Sequence, residues 1–146
     1  MIFRLETQKQ FGEWLNDKDL RLTRFFASIP PELLIYLDFS LDSLKHLETW
    51  LLQKYPEVQA DLSGKELAVI DAIGTYVGEV FRKHLGGQWV IDLENEENAY
   101  FGIPGIADFD RNLPIKLVYP STWVTTSIHR RTGTFIYDLA EKFSRR

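Results

Sequence analysis

A tyrosine, a glutamate and a tryptophan form the group of residues in this sequence that is best suited to chemistry. Tyr76 and Glu79 lie three residues apart in a predicted helix, and Trp89 follows a pair of glycines after that helix. A buried carboxylate is unfavourable unless a cation or several hydrogen bonds compensate its charge. We expect Arg130 or Arg131, from a C-terminal helix, to reach Glu79. The candidate ligand-binding residues are then Tyr76, Glu79, Trp89 and Arg130.

The same residues also have a purely structural explanation. Gly78 would permit another element to pack close to the helix, where Tyr76 and Trp89 would cover a sheet. Glu79 would pair with Lys83 one turn later, or would join a buried network of hydrogen bonds. Both explanations stay open from the sequence alone, and neither assigns a catalytic residue.

The side chains that bind metals and cofactors are few and scattered. The chain has no cysteine, which excludes disulfides, thiolate nucleophiles and cysteine-ligated zinc. His46, His84 and His129 fall in three different predicted helices, with no second ligand at metal spacing. Residues 108–112 read D-F-D-R-N, like the start of a calcium loop, but Leu113 stands where that loop needs glycine. Since the common phosphate, dinucleotide and acyl-transfer motifs are also absent, we predict no metal and no cofactor.

Charge is spread unevenly along the chain, whose net charge is −4. Residues 92–110 carry six acidic and no basic side chains, whereas residues 111–146 carry seven basic and two acidic ones. An acidic chain lacks the electrostatic signature of a nucleic-acid binder, so we predict no nucleic-acid partner. The sequence shows no signal peptide and no apolar stretch near the roughly 20 residues of a membrane span. We therefore expect a soluble, cytoplasmic protein without a membrane partner.

Helices dominate the predicted first half of the chain. Residues 2–5 are predicted as a short strand, and Thr7 as the N-cap of an amphipathic helix. The apolar residues of segment 20–29 fit neither helical nor strand spacing. A helix over residues 41–54 is predicted to begin at Ser40 as its N-cap.

The longest predicted helix contains Tyr76 and Glu79. It is expected to begin at a capping box formed by Ser63 and Glu66 and to end at Gly86. Gly74 and Gly78 lie one turn apart inside it. Because a glycine in a helix costs about 1 kcal/mol relative to alanine, we expect another element to pack against the backbone there.

The second half of the chain changes to the alternating pattern of strands. Three short strands are predicted, at 89–93, 99–103 and 115–119. The connections are too short for crossover helices, so the strands should form an antiparallel meander at about 88–119. Two further helices are predicted, near 121–131 and 134–144. The order predicts a single α+β domain over residues 1–146, with N-terminal helices, a small antiparallel sheet and C-terminal helices.

Several of these motifs together resemble those of a loose group of uncharacterised bacterial α+β domains of unknown function. The shared residues are Ser43-Leu44 with Leu47, Gly74-x-Tyr76-x-Gly78-Glu79-Val80, Gly86-Gly87-x-Trp89, and a later strand ending at Pro120. The resemblance covers about residues 38–130, and its most specific part is the Tyr-x-Gly-Glu helix followed by Gly-Gly-x-Trp. It implies an α+β domain and structural roles for these residues, but no activity.

Three functions remain open at this stage. With 14% aromatic residues, the chain has more large rings than a small core absorbs, and its charge is asymmetric. We therefore predict a protein-interaction or regulatory accessory protein without catalysis, whose partner is another protein. The alternative is a small-molecule-binding protein or enzyme with a pocket around Tyr76, Glu79 and Trp89. A third possibility is a homodimer formed through exposed tryptophan and phenylalanine.

Overall fold

Helix α5 (Lys65–Leu85) is the central element of the computed structural model, which describes residues 2–145 of the chain. From Ile70 to Val80 every residue of α5 except Glu79 is buried. A helix that is buried around its whole circumference must be covered by several other elements. Within the described range these are six further helices and three strands: α1 (Gln8–Asn16), α2 (Lys18–Ser28), α3 (Pro31–Leu34), α4 (Ser43–Lys54), β1 (Gly86–Val90), β2 (Gly105–Phe109), β3 (Leu117–Val118), α6 (Pro120–Arg130) and α7 (Phe135–Ser144).

The three strands form the predicted antiparallel meander in the order β1-β2-β3, which confirms the α+β class. The second strand is displaced, because it begins at Gly105 rather than at residue 99. Residues 91–103 form turns instead, organised by Asp92, whose carboxylate accepts hydrogen bonds from the backbone of Glu94 and the side chain of Asn98. Such local side-chain contacts compete with strand pairing, and they also end β1 at Val90.

The N-terminal predictions are partly confirmed. Thr7 caps α1 as expected, in a capping box with Gln10. Residues 2–5 are not a strand, although the Leu5 N–H donates to the Gly102 carbonyl at 2.7 Å. Segment 20–29, whose spacing fits no regular period, lies in α2 except for its last residue, Ile29, which is the C-cap of that helix.

The helix boundaries around α4 and α5 show where local patterns fail. The prediction of Ser40 as N-cap is wrong, because α4 begins at Ser43 with Asp42 as its N-cap. The Ser40 hydroxyl nevertheless accepts the Ser43 N–H at 3.1 Å. The capping box predicted at Ser63 and Glu66 is wrong. The Ser63 hydroxyl donates to a nearby aspartate, while the Glu66 carboxylate accepts the hydroxyl of Tyr55. The N-cap of α5 is Gly64, with φ of 62°.

Glu48, on α4, is completely buried and holds the first turn of α7. One carboxylate oxygen accepts the hydroxyl of Ser127 at 2.6 Å and the N–H of Phe135 at 2.9 Å. The other accepts the N–H groups of Ile136 at 2.7 Å and Tyr137 at 3.1 Å. First-turn N–H groups have no partner within their own helix, and the helix dipole favours a negative charge at this end. Glu48 therefore joins α4 to α6 and α7.

The two glycines within α5 lie where other elements touch its backbone, which confirms the prediction of close packing. A Cβ at Gly74 would lie 2.9 Å from the Cα of Ser121, at the start of α6. A Cβ at Gly78 would lie 2.3 Å from the indole ring of Trp89 on β1. Glycine is therefore required at both positions by contact with a neighbouring element.

Replacing Gly78 should destabilise the protein, whereas the same change at Gly12 should not. In Gly78→Ala the new methyl group overlaps the Trp89 ring, and we expect a loss of about 1–3 kcal/mol in the free energy of unfolding. Gly12 lies inside α1 with no atom near its missing Cβ, so Gly12→Ala should stabilise by up to about 1 kcal/mol. Urea denaturation of the three proteins measures both changes. Equal effects at the two positions would contradict the packing described here.

Candidate functional site

Glu79 lies at the junction of α2, α5 and β1 and is bound from three sides. Its carboxylate is 2.9 Å from the Nζ of Lys18 and 2.9 Å from the Nη1 of Arg82. The indole Nε1–H of Trp89 donates to the same carboxylate at 2.9 Å. Burial acts to raise the pKa of Glu79, but the hydrogen bonds from these three side chains outweigh it and hold the pKa below its ordinary value.

Only Glu79 and Trp89, of the four predicted ligand-binding residues, are in contact. Tyr76 has no exposed surface, and its hydroxyl donates to the Ser43 hydroxyl at 2.7 Å while accepting the N–H of Phe39. Arg130 is exposed at the end of α6, where its guanidinium lies 5.1 Å from the ring centre of a phenylalanine on α7. The four residues therefore do not line one common pocket.

The cations beside Glu79 come from α2 and from its own helix. The prediction that Arg130 or Arg131 would reach it is therefore wrong. Arg131 instead donates to backbone carbonyl groups at the end of α4, at 3.0 Å from that of Leu52. Lys83 is exposed, one residue beyond the arginine that does pair. The structure thus gives Glu79 the second of the two structural roles expected for it, membership of a hydrogen-bond network.

A second buried network lies one to two turns earlier on α5. The carboxylate of Asp71 accepts the indole N–H of Trp14 at 3.0 and 3.1 Å and lies 3.5 Å from the Nε of Arg21. Arg21 also donates to the hydroxyl of Thr75 and to the backbone carbonyl of Trp14, both at 3.0 Å. Its guanidinium lies 4.2 Å above the Trp14 ring. The sequence pattern does not indicate this network, because Asp71 stands there as a single charge within an apolar stretch.

The two networks touch through their tryptophans. The rings of Trp14 and Trp89 pack edge to face with centres 4.9 Å apart. Burial raises the pKa of Asp71 to about 6, although Arg21 and the Trp14 N–H oppose the rise. Burial also lowers the pKa of Arg21, against the attraction of Asp71. Both charged groups of the second network therefore lie in a weakly solvated environment.

An open cleft of about 380 Å³ lies between α2 and α5 beside this second network. Its volume falls at the small end of the range of ligand-binding pockets. Apolar and charged side chains line it, among them Leu20, Phe25, Val69, Arg21, Arg24 and Asp71. The charged residues Arg21 and Asp71 thus have one side in the buried network and the other at the wall of the cleft.

Three consecutive apolar side chains are exposed at and just beyond α3. Leu34 is 41%, Ile35 73% and Tyr36 46% exposed. The Tyr36 ring stacks on His46 with ring centres 3.8 Å apart, beside a shallow groove of about 250 Å³ that reaches Trp50. We call Leu34, Ile35 and Tyr36 the α3 apolar surface. The exposed large side chains here are aliphatic residues and tyrosine, not the tryptophan and phenylalanine expected for a homodimer seam.

Among residues 2–145, no three histidine, aspartate or glutamate side chains are grouped closely enough to hold a metal ion. Of the helices described, none combines the length and apolar character needed to cross a membrane.

Comparisons of the chain with protein-family models, with curated proteins and with solved structures found no match. The resemblance to uncharacterised bacterial domains therefore stays an expectation. A functional proposal for this chain must start from its own contacts.

Asp71→Asn should reduce the pH dependence of stability. The pKa of Asp71 is about 6 in the folded protein, above its value in an unfolded chain, so the protonated form favours folding. The stabilisation by the protonated Asp71 carboxyl group is fully present below the pKa that this group has in the unfolded chain, and it is lost as pH rises through 6. Between pH 5 and pH 8, the free energy of unfolding of the parent protein should fall by about 1–2 kcal/mol relative to Asp71→Asn.

Urea denaturation of both proteins at pH 5, 6, 7 and 8 measures this difference. The asparagine oxygen can still accept the Trp14 N–H, so the comparison isolates the titration of the carboxyl group from the loss of that contact. Parallel stability curves for the two proteins would show that Asp71 does not titrate in this range.

Proposed function

We propose that this chain is a non-catalytic protein-interaction domain that binds another protein through the α3 apolar surface. We further propose that it serves as an accessory or regulatory protein of the bacterial cytoplasm. The observation that carries the proposal is the exposure of three large apolar side chains in sequence, Leu34, Ile35 and Tyr36. Contiguous apolar surface is unfavourable in water and is typical of binding sites, whereas single exposed apolar residues are common everywhere.

The polar groups best suited to catalysis are already used by the fold. Glu48 accepts four hydrogen bonds, Asp71 accepts the Trp14 N–H with both oxygens, and Glu79 is bound by two cations and an indole. A general base or nucleophile needs a free lone pair directed at a substrate. These carboxylates support a structural role, which leaves the α3 apolar surface as the feature without a structural explanation.

The alternative of a pocket around Tyr76, Glu79 and Trp89 finds less support. Tyr76 has no exposed surface, so a ligand could reach its hydroxyl only after the core had opened. The oxygens of Glu79 are bound by its three neighbours.

The charges around the α3 apolar surface indicate the chemistry of the partner. Residues 30–42 contain Glu32, Asp38 and Asp42 but no lysine or arginine. Asp42 lies 3.5 Å from the Nζ of Lys45, so Glu32 and Asp38 carry the excess acidic charge. Complementary charge favours association and lowers the affinity of wrong partners. We infer a partner protein with an apolar segment flanked by basic side chains, whose binding weakens as salt concentration rises.

Photo-crosslinking in the source cell tests this proposal. With the photoreactive residue p-benzoylphenylalanine in place of Ile35, irradiation should join the chain to one other protein. In the purified pair, Ile35→Asp should weaken binding at least about tenfold, as for residues at the centre of an interface. The melting temperature of the Ile35→Asp variant alone should stay within about 2 °C of that of the parent protein, because Ile35 is 73% exposed.

Val58 provides the matched control, since it is a β-branched apolar residue that is 45% exposed. The photoreactive residue at position 58 should give no adduct with the same partner, and Val58→Asp should leave the affinity unchanged. A crosslink between two copies of this chain would show that the α3 apolar surface forms a homodimer instead of binding a different protein. Equal labelling at positions 35 and 58 would refute the α3 apolar surface as a binding site.

A further inference from the structure

We propose that the cleft between α2 and α5 is a binding site for a small hydrophobic anion, an aliphatic or aromatic carboxylate. The cleft and the α3 apolar surface, with its adjoining groove, share no lining residue. This proposal is therefore independent of the protein-binding function proposed above.

The walls of the cleft fit an apolar ligand body. Leu20 and Phe25 of α2 face Val69 and Ala72 of α5 across it. Leu20 is 47% exposed, so the cleft contains apolar surface that is in contact with water. A ligand body in the cleft would remove this apolar surface from water, which is the main source of affinity in pockets of this kind.

The polar groups of the cleft favour a negative rather than a positive ligand group. Both oxygens of Asp71 accept the Trp14 N–H, and its charge lies 3.5 Å from Arg21, so little of it remains to attract a cation. Arg21 is less well satisfied, because its Nη2 is buried and has no hydrogen-bond partner among residues 2–145. A carboxylate oxygen of the ligand would supply the acceptor that Nη2 lacks.

Arg24 is the group that would receive the anion directly. It is exposed, lines the cleft, and takes part in none of the ion pairs among the described residues. The other acidic residue of the cleft, Asp17, lies seven positions earlier, about 10 Å away along the helix axis. That separation is about one Debye length at physiological salt, so Asp17 repels an anion at Arg24 only weakly.

Calorimetric titration with decanoate, kept below the concentration at which it forms micelles, and with decanol, kept below its solubility limit in water, tests the site. The two probes share the apolar chain and differ in charge. Decanoate should bind one to one and more tightly than decanol. Arg24→Ala should weaken decanoate binding about three- to tenfold and leave decanol binding unchanged.

Two further variants locate the binding. Ala68 is an exposed residue of α5 that lines the cleft, so Ala68→Phe should fill the cleft without disturbing the core and should weaken the binding of both probes. Arg130→Ala, which removes an exposed arginine at the end of α6, should change neither affinity. Absence of saturable decanoate binding would overturn the proposal. Binding that neither Arg24→Ala nor Ala68→Phe weakens would place the ligand elsewhere and would also overturn it.

Discussion

A side chain with no exposed surface, Glu48, holds three helices together through four hydrogen bonds. Burial raises the pKa of its carboxyl group, against the hydroxyl of Ser127 and the three backbone N–H groups, which favour the ionised form. No cation takes part in these four bonds. The positive end of the α7 dipole supplies the compensating charge instead. The position of α7 against α4 and α6 therefore depends on the buried carboxylate of Glu48.

The same principle recurs in the other half of the core. Asp71 is fixed by Trp14 and Arg21, and Glu79 by cations and an indole, so that each of these two carboxylates joins α5 to a helix that is distant in sequence. Because donors within the fold bind all three carboxylates, these groups serve to hold the helices together. The features without such a role are the α3 apolar surface and the cleft beside Arg21, and we propose that both are binding sites.

Local sequence patterns predict the elements of this fold better than its long-range contacts. The sequence predicts helix α5 and its end at Gly86, and its glycines correctly indicate close neighbours. Thr7-x-x-Gln10 and Ser63-x-x-Glu66 carry equivalent capping patterns, yet only the first forms a box, because the hydroxyl of a tyrosine on another segment takes the second carboxylate. The pairing of Asp71 with a tryptophan 57 positions earlier depends on tertiary packing, which spacing along the chain does not contain.

The exchange of backbone amide hydrogens with deuterium tests most directly whether Glu48 holds α7. First-turn amides of a helix normally exchange fast, because they lack a partner within the helix. The account predicts that the amides of Phe135, Ile136 and Tyr137 exchange as slowly as those in the buried middle of α5. The first turn of α2, which has no side-chain cap, should exchange quickly. Fast exchange at all three α7 amides, equal to that of the α2 first turn, would contradict it.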